Sequence, residues 1–341
     1  MTSRGEPVKG LGAGRFVSAF VRLAIGVAAF AGVLVWLLPD WRALIDDFTP
    51  SPWGFALSLL GTTLASLVTA RRWQLLLEAM GGDRLPFFTY MRALVVTRLL
   101  GQFVPALAVD LVGRGVALRR AGSGRGLGHA ATQVVVERLL DLLLPLGLAA
   151  WILLSPPATT ANDFATPLLY VVVVAGLFIP LVSPVARVAI ALYARVSSIR
   201  SGLAARPSDL GRPVNVDFST AARVSALSVA RLLTVTLQFF GAALAVGLTI
   251  TGPHMLGATG VAQLTGLVGL TPGGLGLIEW GWAGALKHLL ADPIRVAQFV
   301  LCQRVCVIGN FAILSFLTSL RGRTSPANPL VEPSDERPPP T

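Results

Sequence analysis

Charged residues are scarce in this sequence. They make up only 13% of the 341 residues, whereas 54% are apolar and the mean hydropathy is +0.70. Soluble domains carry about 25% charged residues, because their surfaces must be hydrated. The composition therefore excludes a water-soluble globular domain. It predicts an all-α fold in which a polytopic bundle of helices crosses a membrane.

Cysteine and histidine are also rare. Cys302 and Cys306 are the only cysteines and lie one helical turn apart, so they form neither a fold-wide disulfide framework nor a four-ligand metal site. The three histidines are scattered along the chain. No Walker loop and no nucleophile elbow occurs in the sequence. We therefore expect no metal, no cofactor and no catalytic residues.

Acidic residues are outnumbered by basic ones, 17 to 28, which leaves a net charge of +11. The basic residues do not form one patch. They are spread over the segments that the positive-inside rule assigns to the cytoplasm. This distribution argues against a nucleic-acid partner and predicts a multi-pass protein of the cytoplasmic membrane with both termini in the cytoplasm.

The chain is expected to form a single integral membrane domain at residues 16–323. A cytoplasmic arm at 1–15 precedes it, and a proline-rich cytoplasmic tail at 324–341 follows, which we expect to be disordered. A helix needs about 20 apolar residues to cross a bilayer core of about 30 Å. About six segments meet this requirement, at 16–38, 52–70, 129–154, 164–183, 219–250 and 296–320.

Two further apolar segments do not fit simple crossings. Residues 85–107 begin and end on the cytoplasmic side but suffice for only one crossing, so we expect a hairpin that dips in and returns. Residues 254–290 begin and end outside and are interrupted at Pro272 and Gly273. They form either two short crossings or, as we favour, a second re-entrant hairpin. Two broken elements that enter from opposite faces suggest an inverted repeat, which in transporters places the site where they meet.

Charged side chains lie inside the apolar segments, where burial is expensive. Glu137 and Asp141 are one turn apart on one helix face and need cations or protons nearby. Such groups usually mark a polar route or a site, and the alternative is an ion-pair network that only fixes helix register. We expect the acidic trio Glu137, Asp141 and Glu279 to be balanced by Arg138, Arg231 and Arg304.

A glycine-rich break at residues 271–279 is the strongest local signal. A helix that starts near Gly276 would direct free amides at the break, and a helix N-terminus favours anions. The alternative is a glycine hinge whose Glu279 caps its own helix.

Two arginines are candidates for contact with a phosphate. Arg98 lies too deep in the first hairpin to reach the interface as a simple anchor. Arg72 lies at the end of the second span, and ordinary positive-inside anchoring is the alternative explanation for it. Guanidinium groups bind phosphate oxygens bidentately.

Four motifs in this order resemble the flippase-like integral membrane family, which includes the membrane domain of lysylphosphatidylglycerol synthases. They are Arg72-Trp73 with Leu76, Pro105 followed by Asp110 and Arg114, Glu137-Arg138 with Asp141, and Pro272 to Gly276 with Glu279. The resemblance implies that the fold translocates lipids. No segment resembles the aminoacyl-transferase domain of the synthases, so we expect that this chain does not make the aminoacyl lipid.

The first functional hypothesis is therefore a flippase or scramblase for an anionic phospholipid or a polyprenyl-phosphate-linked lipid. One alternative is a polyprenyl-phosphate-dependent membrane glycosyltransferase that uses Asp46 and Asp47 in the first outward loop. Another is a non-transporting partner of a lipid-modifying enzyme, and a homo-oligomer is compatible with any of these. The residues expected to contact the headgroup are Arg72, Arg98, Asp110, Arg114, Glu137, Arg138, Asp141, Arg231, Pro272, Gly273, Gly274, Gly276, Glu279 and Arg304.

Overall fold

Helices make up the fold in the computed structural model, which describes residues 13–38, 42, 44, 48, 50–104, 106–121, 126–156, 163–201, 216–267, 271–290 and 292–322. Within these ranges we number the helices α1 to α10. Their bounds are α1 Ala13–Leu37, α2 Pro52–Ala79, α3 Phe87–Leu100, α4 Ala106–Arg120, α5 Gly126–Leu154, α6 Ala165–Ser201, α7 Phe218–Ala245, α8 Gly252–Leu267, α9 Leu277–Leu289 and α10 Pro293–Gly322.

Six of these helices, α1, α2, α5, α6, α7 and α10, are 25 to 37 residues long. Each is long enough to cross a bilayer, since a helix rises about 1.5 Å per residue. In the described part of the chain, α2, α6, α7 and α10 also satisfy a criterion of apolar composition for membrane spans. The predicted polytopic helical bundle is confirmed.

The outer faces of the bundle are apolar. Large hydrophobic side chains such as Trp53, Leu154, Leu169 and Val305 are more than 60% exposed. In water this surface would be unfavourable by about 25 cal/mol for each Å² of apolar area. The hydrocarbon of a membrane removes that cost, so the exposed faces are those expected of lipid-facing helices.

Helices α2 and α7 are packed backbone to backbone. A Cβ added at Gly61 would lie 2.4 Å from the amide nitrogen of Gln238, and one added at Gly54 would lie 2.2 Å from that of Ala245. Small residues allow such close contact between membrane helices. Because Gly54 meets Ala245 and Gly61 meets Gln238, the two helices run antiparallel.

This antiparallel pair shows that the two hairpins enter from opposite ends of the bundle. The α3–α4 hairpin follows the C-terminal end of α2, whereas the α8–α9 hairpin follows the C-terminal end of α7. Their helices have 13 to 16 residues and span roughly 20 to 24 Å, which is short of a full crossing. The favoured hairpin interpretation of residues 254–290 agrees with this geometry.

The tips of the two hairpins meet. Arg304 of α10 donates from Nη1 to Oε1 of Gln102 and to the carbonyl oxygen of Gly273, both at 3.0 Å. Gly273, Gly274 and Gly276 adopt φ values of +58°, +68° and +83°, a region that favours glycine. A Cβ at Gly273 would also lie 3.0 Å from the Cα of Gln102. The predicted break is therefore a tight turn where the tips touch.

The predicted bounds of the first hairpin are wrong. Residues 85–107 contain its entering helix, its tip and only the first two residues of the returning helix, α4, Ala106–Arg120. Arg114, which we expected to contact the headgroup, is 1% exposed in the interior. A search for long apolar segments does not find α4, because this helix contains the charged residues Asp110 and Arg114. Their charges are compensated by partners on the neighbouring helix α5.

Several expectations concern residues outside the described ranges. These are the N-terminal arm up to residue 12, Asp46 and Asp47, Pro105, and the tail at 324–341. The domain boundaries therefore stay predictions.

Candidate functional site

Arg72 of α2 and Asp141 of α5 form a tightly bonded ion pair in the interior. The guanidinium is bidentate, with Nη1 2.5 Å from Oδ1 and Nη2 3.0 Å from Oδ2 of Asp141. Arg231 of α7 approaches the same carboxylate more loosely, at 3.5 Å. Arg72 is 1% exposed, so it is not an interfacial anchor. Arg72 and Arg231 together connect α2 and α7 to the carboxylate of Asp141 on α5.

A second group of ion pairs connects the returning helix α4 to α5. Arg114 donates to Oε2 of Glu137 at 2.7 Å, and Arg138 donates to Oδ2 of Asp110 at 2.8 Å. Arg114 also lies over the ring of Trp73, 4.8 Å from its centroid, which adds a cation–π contact. Glu137 is 3.9 Å from Arg72, so this group is continuous with the first pair.

Glu279 and Arg304 form the third pair, at the second hairpin. Glu279 is fully buried. Its Oε1 accepts from Nε of Arg304 at 2.9 Å and from Nη2 of the same residue. Its Oε2 accepts from the backbone N–H of Gly276 at 2.7 Å and so caps α9. The expectation that the Gly276 amide is free for an external anion is therefore wrong, because a carboxylate of the same helix already binds it.

The observed pairing differs in part from the predicted one. Glu279 does pair with Arg304, and Asp141 has Arg231 as a distant second partner. Arg138, however, pairs with Asp110. The close partners of Asp141 and Glu137 are Arg72 and Arg114. Sequence reasoning missed these partners because it cannot show which helices are neighbours.

A cavity lies where the hairpin tips approach α5, α7 and α8. Its volume is about 160 Å³, and a neighbouring cavity of about 180 Å³ shares part of its lining. Arg98 and Arg231 line both cavities. The predicted residues that line at least one are Arg98, Asp110, Arg138, Asp141, Arg231, Gly273, Gly274 and Arg304. The others, Arg72, Arg114, Glu137, Pro272, Gly276 and Glu279, do not line either of them.

Two donor groups of the lining lack acceptors in the part of the chain that the structure describes. Among the described residues, the Arg98 guanidinium has neither an ion pair within 4.0 Å nor a hydrogen bond, although Arg98 is half-buried. Gln263 uses its Oε1 to accept from Arg231 at 3.2 Å, and its buried Nε2 has no partner within the described ranges. Buried donors normally have acceptors, so the cavity offers unused hydrogen-bonding capacity to a ligand.

Sequence reasoning had not singled out Gln263 or Gln303 for this region. Gln263 is the lone amide side chain in α8, and Gln303 precedes Arg304 and donates to Glu279 at 3.3 Å. A single amide within an apolar membrane helix was the available signal for Gln263, whereas Gln303 is one of three amide side chains in α10. Over the same described ranges, no group of three or more His, Cys, Asp or Glu residues is arranged to hold a metal ion.

Positive charge exceeds negative charge around these cavities. We call the ten charged residues of the site the central charge cluster. Six arginines and four carboxylates leave a formal charge of 6 − 4 = +2. Its members are Arg72, Arg98, Arg114, Arg138, Arg231, Arg304, Asp110, Glu137, Asp141 and Glu279.

Comparison with known families identifies the chain. The sequence profile of the lysylphosphatidylglycerol synthase TM region matches residues 20–309. The match covers more than half of the chain, so the protein belongs to this family of membrane proteins, which relates it to lipid biology. A search of curated proteins finds no match.

Proposed function

We propose that this member of the lysylphosphatidylglycerol synthase TM family is a flippase or scramblase. It moves a lipid with an anionic headgroup, either a phospholipid or a polyprenyl-phosphate-linked lipid, across the cell membrane, and both of its termini face the cytoplasm. The observation that supports this most is the arginine-lined cavity between the two hairpin tips. Translocation of this kind requires a polar path and no covalent step.

A headgroup phosphate that enters the membrane must exchange its water for other partners. Isolated charges are strongly unfavourable in a medium of low dielectric constant, so the path must supply counter-charge. Arg98 and Arg231 both line the cavities and are suited to this task, because guanidinium groups bind phosphate oxygens in a planar, bidentate geometry. Apolar side chains of Phe239 and Ile278 also line the cavities and suit the adjoining hydrocarbon.

Arg231 is arranged to change partners. Its contacts to Asp141 at 3.5 Å and to Gln263 at 3.2 Å are both long for a charged hydrogen bond. Asp141 is already satisfied by the bidentate contact with Arg72. Arg231 can therefore turn to a phosphate without leaving a buried carboxylate unpaired, which keeps the energetic barrier of the exchange low.

Arg304 connects the two hairpin tips. Its hydrogen bonds to them must break if the path is to open first to one side of the membrane and then to the other. It holds Gln102 of one hairpin and Gly273 of the other through the same Nη1. When these two hydrogen bonds break, the tips can separate, while the ion pair with Glu279 still compensates the charge of Arg304. We propose that this contact alternates between a closed and an open arrangement during translocation.

The test is movement of fluorescent lipids across reconstituted vesicles, followed by quenching of the outer leaflet. We expect purified protein to accelerate movement of phosphatidylglycerol or a polyprenyl phosphate at least about tenfold over protein-free vesicles, and Glu137→Gln to slow it by weakening the Arg114 contact. Arg71→Gln is a matched control, because Arg71 is exposed and its side chain bonds only to Gln74 among the described residues. Rates equal to those of protein-free vesicles across a broad panel of headgroups would contradict the proposal.

The alternatives gain no specific support. The glycosyltransferase hypothesis depends on Asp46 and Asp47, which lie outside the described residues. We propose no enzymatic step for this chain. A lipid-modifying enzyme that makes the transported lipid remains the proposed protein partner.

A further inference from the structure

We infer that the site selects a headgroup with a terminal phosphate, a phosphomonoester that carries about two negative charges at pH 7, over a singly charged phosphodiester. This inference rests on the proposed function and specifies its substrate class. It follows from the charges that remain at the cavity after every carboxylate of the central charge cluster has been paired.

Each carboxylate of the cluster has one close arginine. Asp141 is bound by Arg72 at 2.5 Å and Glu137 by Arg114 at 2.7 Å. Asp110 is bound by Arg138 at 2.8 Å. Glu279 is bound by Arg304. Of the six arginines in the cluster, these four pairs leave Arg98 and Arg231 without a carboxylate of their own.

The two remaining arginines converge on one place. Both line the cavity at the hairpin tips, and both line the neighbouring cavity as well. Arg98 comes from α3 and Arg231 from α7, so a ligand between them contacts both the entering hairpin and the bundle. Asp110 and Asp141 share the lining, but their oxygens already accept short hydrogen bonds from Arg138 and Arg72.

The charge of the ligand can be matched to this remainder. A phosphodiester brings one negative charge, which leaves one guanidinium uncompensated in a medium of low dielectric constant. A phosphomonoester carries about 1.5 to 2 negative charges at pH 7. Of the two, the phosphomonoester comes closer to neutralising the site, and an uncompensated buried charge is strongly unfavourable.

Hydrogen-bonding capacity supports the same choice. Arg98 has five N–H donors without acceptors in the described part of the chain, and Gln263 adds the unpartnered donor at Nε2. A terminal phosphate has three strong acceptor oxygens, whereas a phosphodiester has only two non-bridging ones. The terminal group therefore satisfies more of the donors that the cavity presents.

The experiment measures binding to the full-length protein in nanodiscs of zwitterionic lipid. The probes are farnesyl phosphate, short-chain phosphatidylglycerol and methyl phosphate. We expect farnesyl phosphate to bind at least about tenfold more tightly than phosphatidylglycerol, since an additional charged hydrogen bond contributes about that factor. Methyl phosphate should bind more weakly than farnesyl phosphate; equal binding would identify free phosphate as the ligand and overturn the inference for a lipid headgroup.

Variants of the two remaining arginines sharpen the test. Arg98→Gln and Arg231→Gln should each remove most of the preference for farnesyl phosphate over phosphatidylglycerol, whereas Arg98→Lys should keep most of it. Arg92→Gln is the matched control, because Arg92 is exposed on the same helix as Arg98. Equal affinity for monoester and diester, or a preference that survives both glutamine variants, would overturn the inference.

Transport and binding fail in distinguishable ways. If the protein moves farnesyl phosphate and phosphatidylglycerol at equal rates and binds them equally, the charge inference is wrong and translocation stands. If it prefers farnesyl phosphate but moves no lipid, the proposed function is wrong and the charge inference stands.

Discussion

Glu279 combines a structural and an electrostatic role in one buried side chain. One carboxylate oxygen accepts from the Gly276 amide, and the other binds Arg304. Arg304 in turn bonds to both hairpin tips. The position of the tips therefore depends on a carboxylate with no exposed surface. Glu279 therefore caps its own helix, as the alternative interpretation of the glycine break predicted.

Replacing Glu279 with glutamine should be strongly destabilising. The amide can still accept from Gly276, but it leaves Arg304 as a buried cation without its counter-charge. Loss of one partner of a buried pair typically costs roughly 3 to 5 kcal/mol. The free energy of unfolding, measured by SDS titration in mixed micelles, reports this change. Glu78→Gln is the control, since Glu78 has no ion pair within the described ranges, and equal losses in the two variants would show that the Glu279 pair contributes little.

Helices α2 and α7 act as a common support for the site. Their contact depends on glycines at Gly54, Gly61 and Gly241, where an added Cβ would lie 2.2 to 2.4 Å from backbone atoms of the opposite helix. Arg72 extends from α2 and Arg231 from α7 toward the same carboxylate of Asp141. A change in the separation of these helices therefore changes how the two guanidinium groups share that carboxylate.

Gly61→Ala should separate the two helices. The new methyl group meets the backbone of Gln238, which cannot rotate away as a side chain can. Overpacking of this kind typically costs about 1 to 3 kcal/mol. A shift of the thermal unfolding midpoint in detergent measures the effect. In Gly176→Ala the added Cβ has open space, so this variant should retain the original midpoint; an unchanged midpoint in both would contradict close packing of α2 against α7.

The helices were easier to predict from the sequence than the ion-pair partners of the charged residues. The long apolar segments and the break at Pro272 and Gly273 were visible in the sequence, because hydrophobic length and glycine conformation are local properties. The returning helix α4 was missed, because its charged Asp110 and Arg114 are tolerated only through contacts with α5. Which guanidinium binds which carboxylate depends on the packing of helices distant in sequence. The sequence therefore indicated several of the residues that line the cavities, whereas their ion-pair partners could not be predicted.

At the scale of the whole molecule, two hairpins that enter from opposite ends bring their tips together within the bundle. Neither hairpin contains a helix long enough to cross alone, and their turns meet at Gln102 and Gly273. Irregular backbone at membrane depth is tolerated where protein or a polar cavity satisfies it. Here Arg304 and the central charge cluster provide those partners. The fold thus places its polar groups where the two tips meet, on the route that we propose for a lipid headgroup.

The most direct measurement compares lipid movement by two doubly substituted proteins in reconstituted vesicles. One neutralises the cavity, Arg98→Gln with Arg231→Gln, and the other removes the same charge from the exposed positions, Arg71→Gln with Arg92→Gln. Both must show the elution profile of the folded protein. We predict that the cavity pair lowers movement of an anionic lipid to the protein-free rate, while the exposed pair retains the original rate. Equal rates for the two proteins would contradict transport through this cavity.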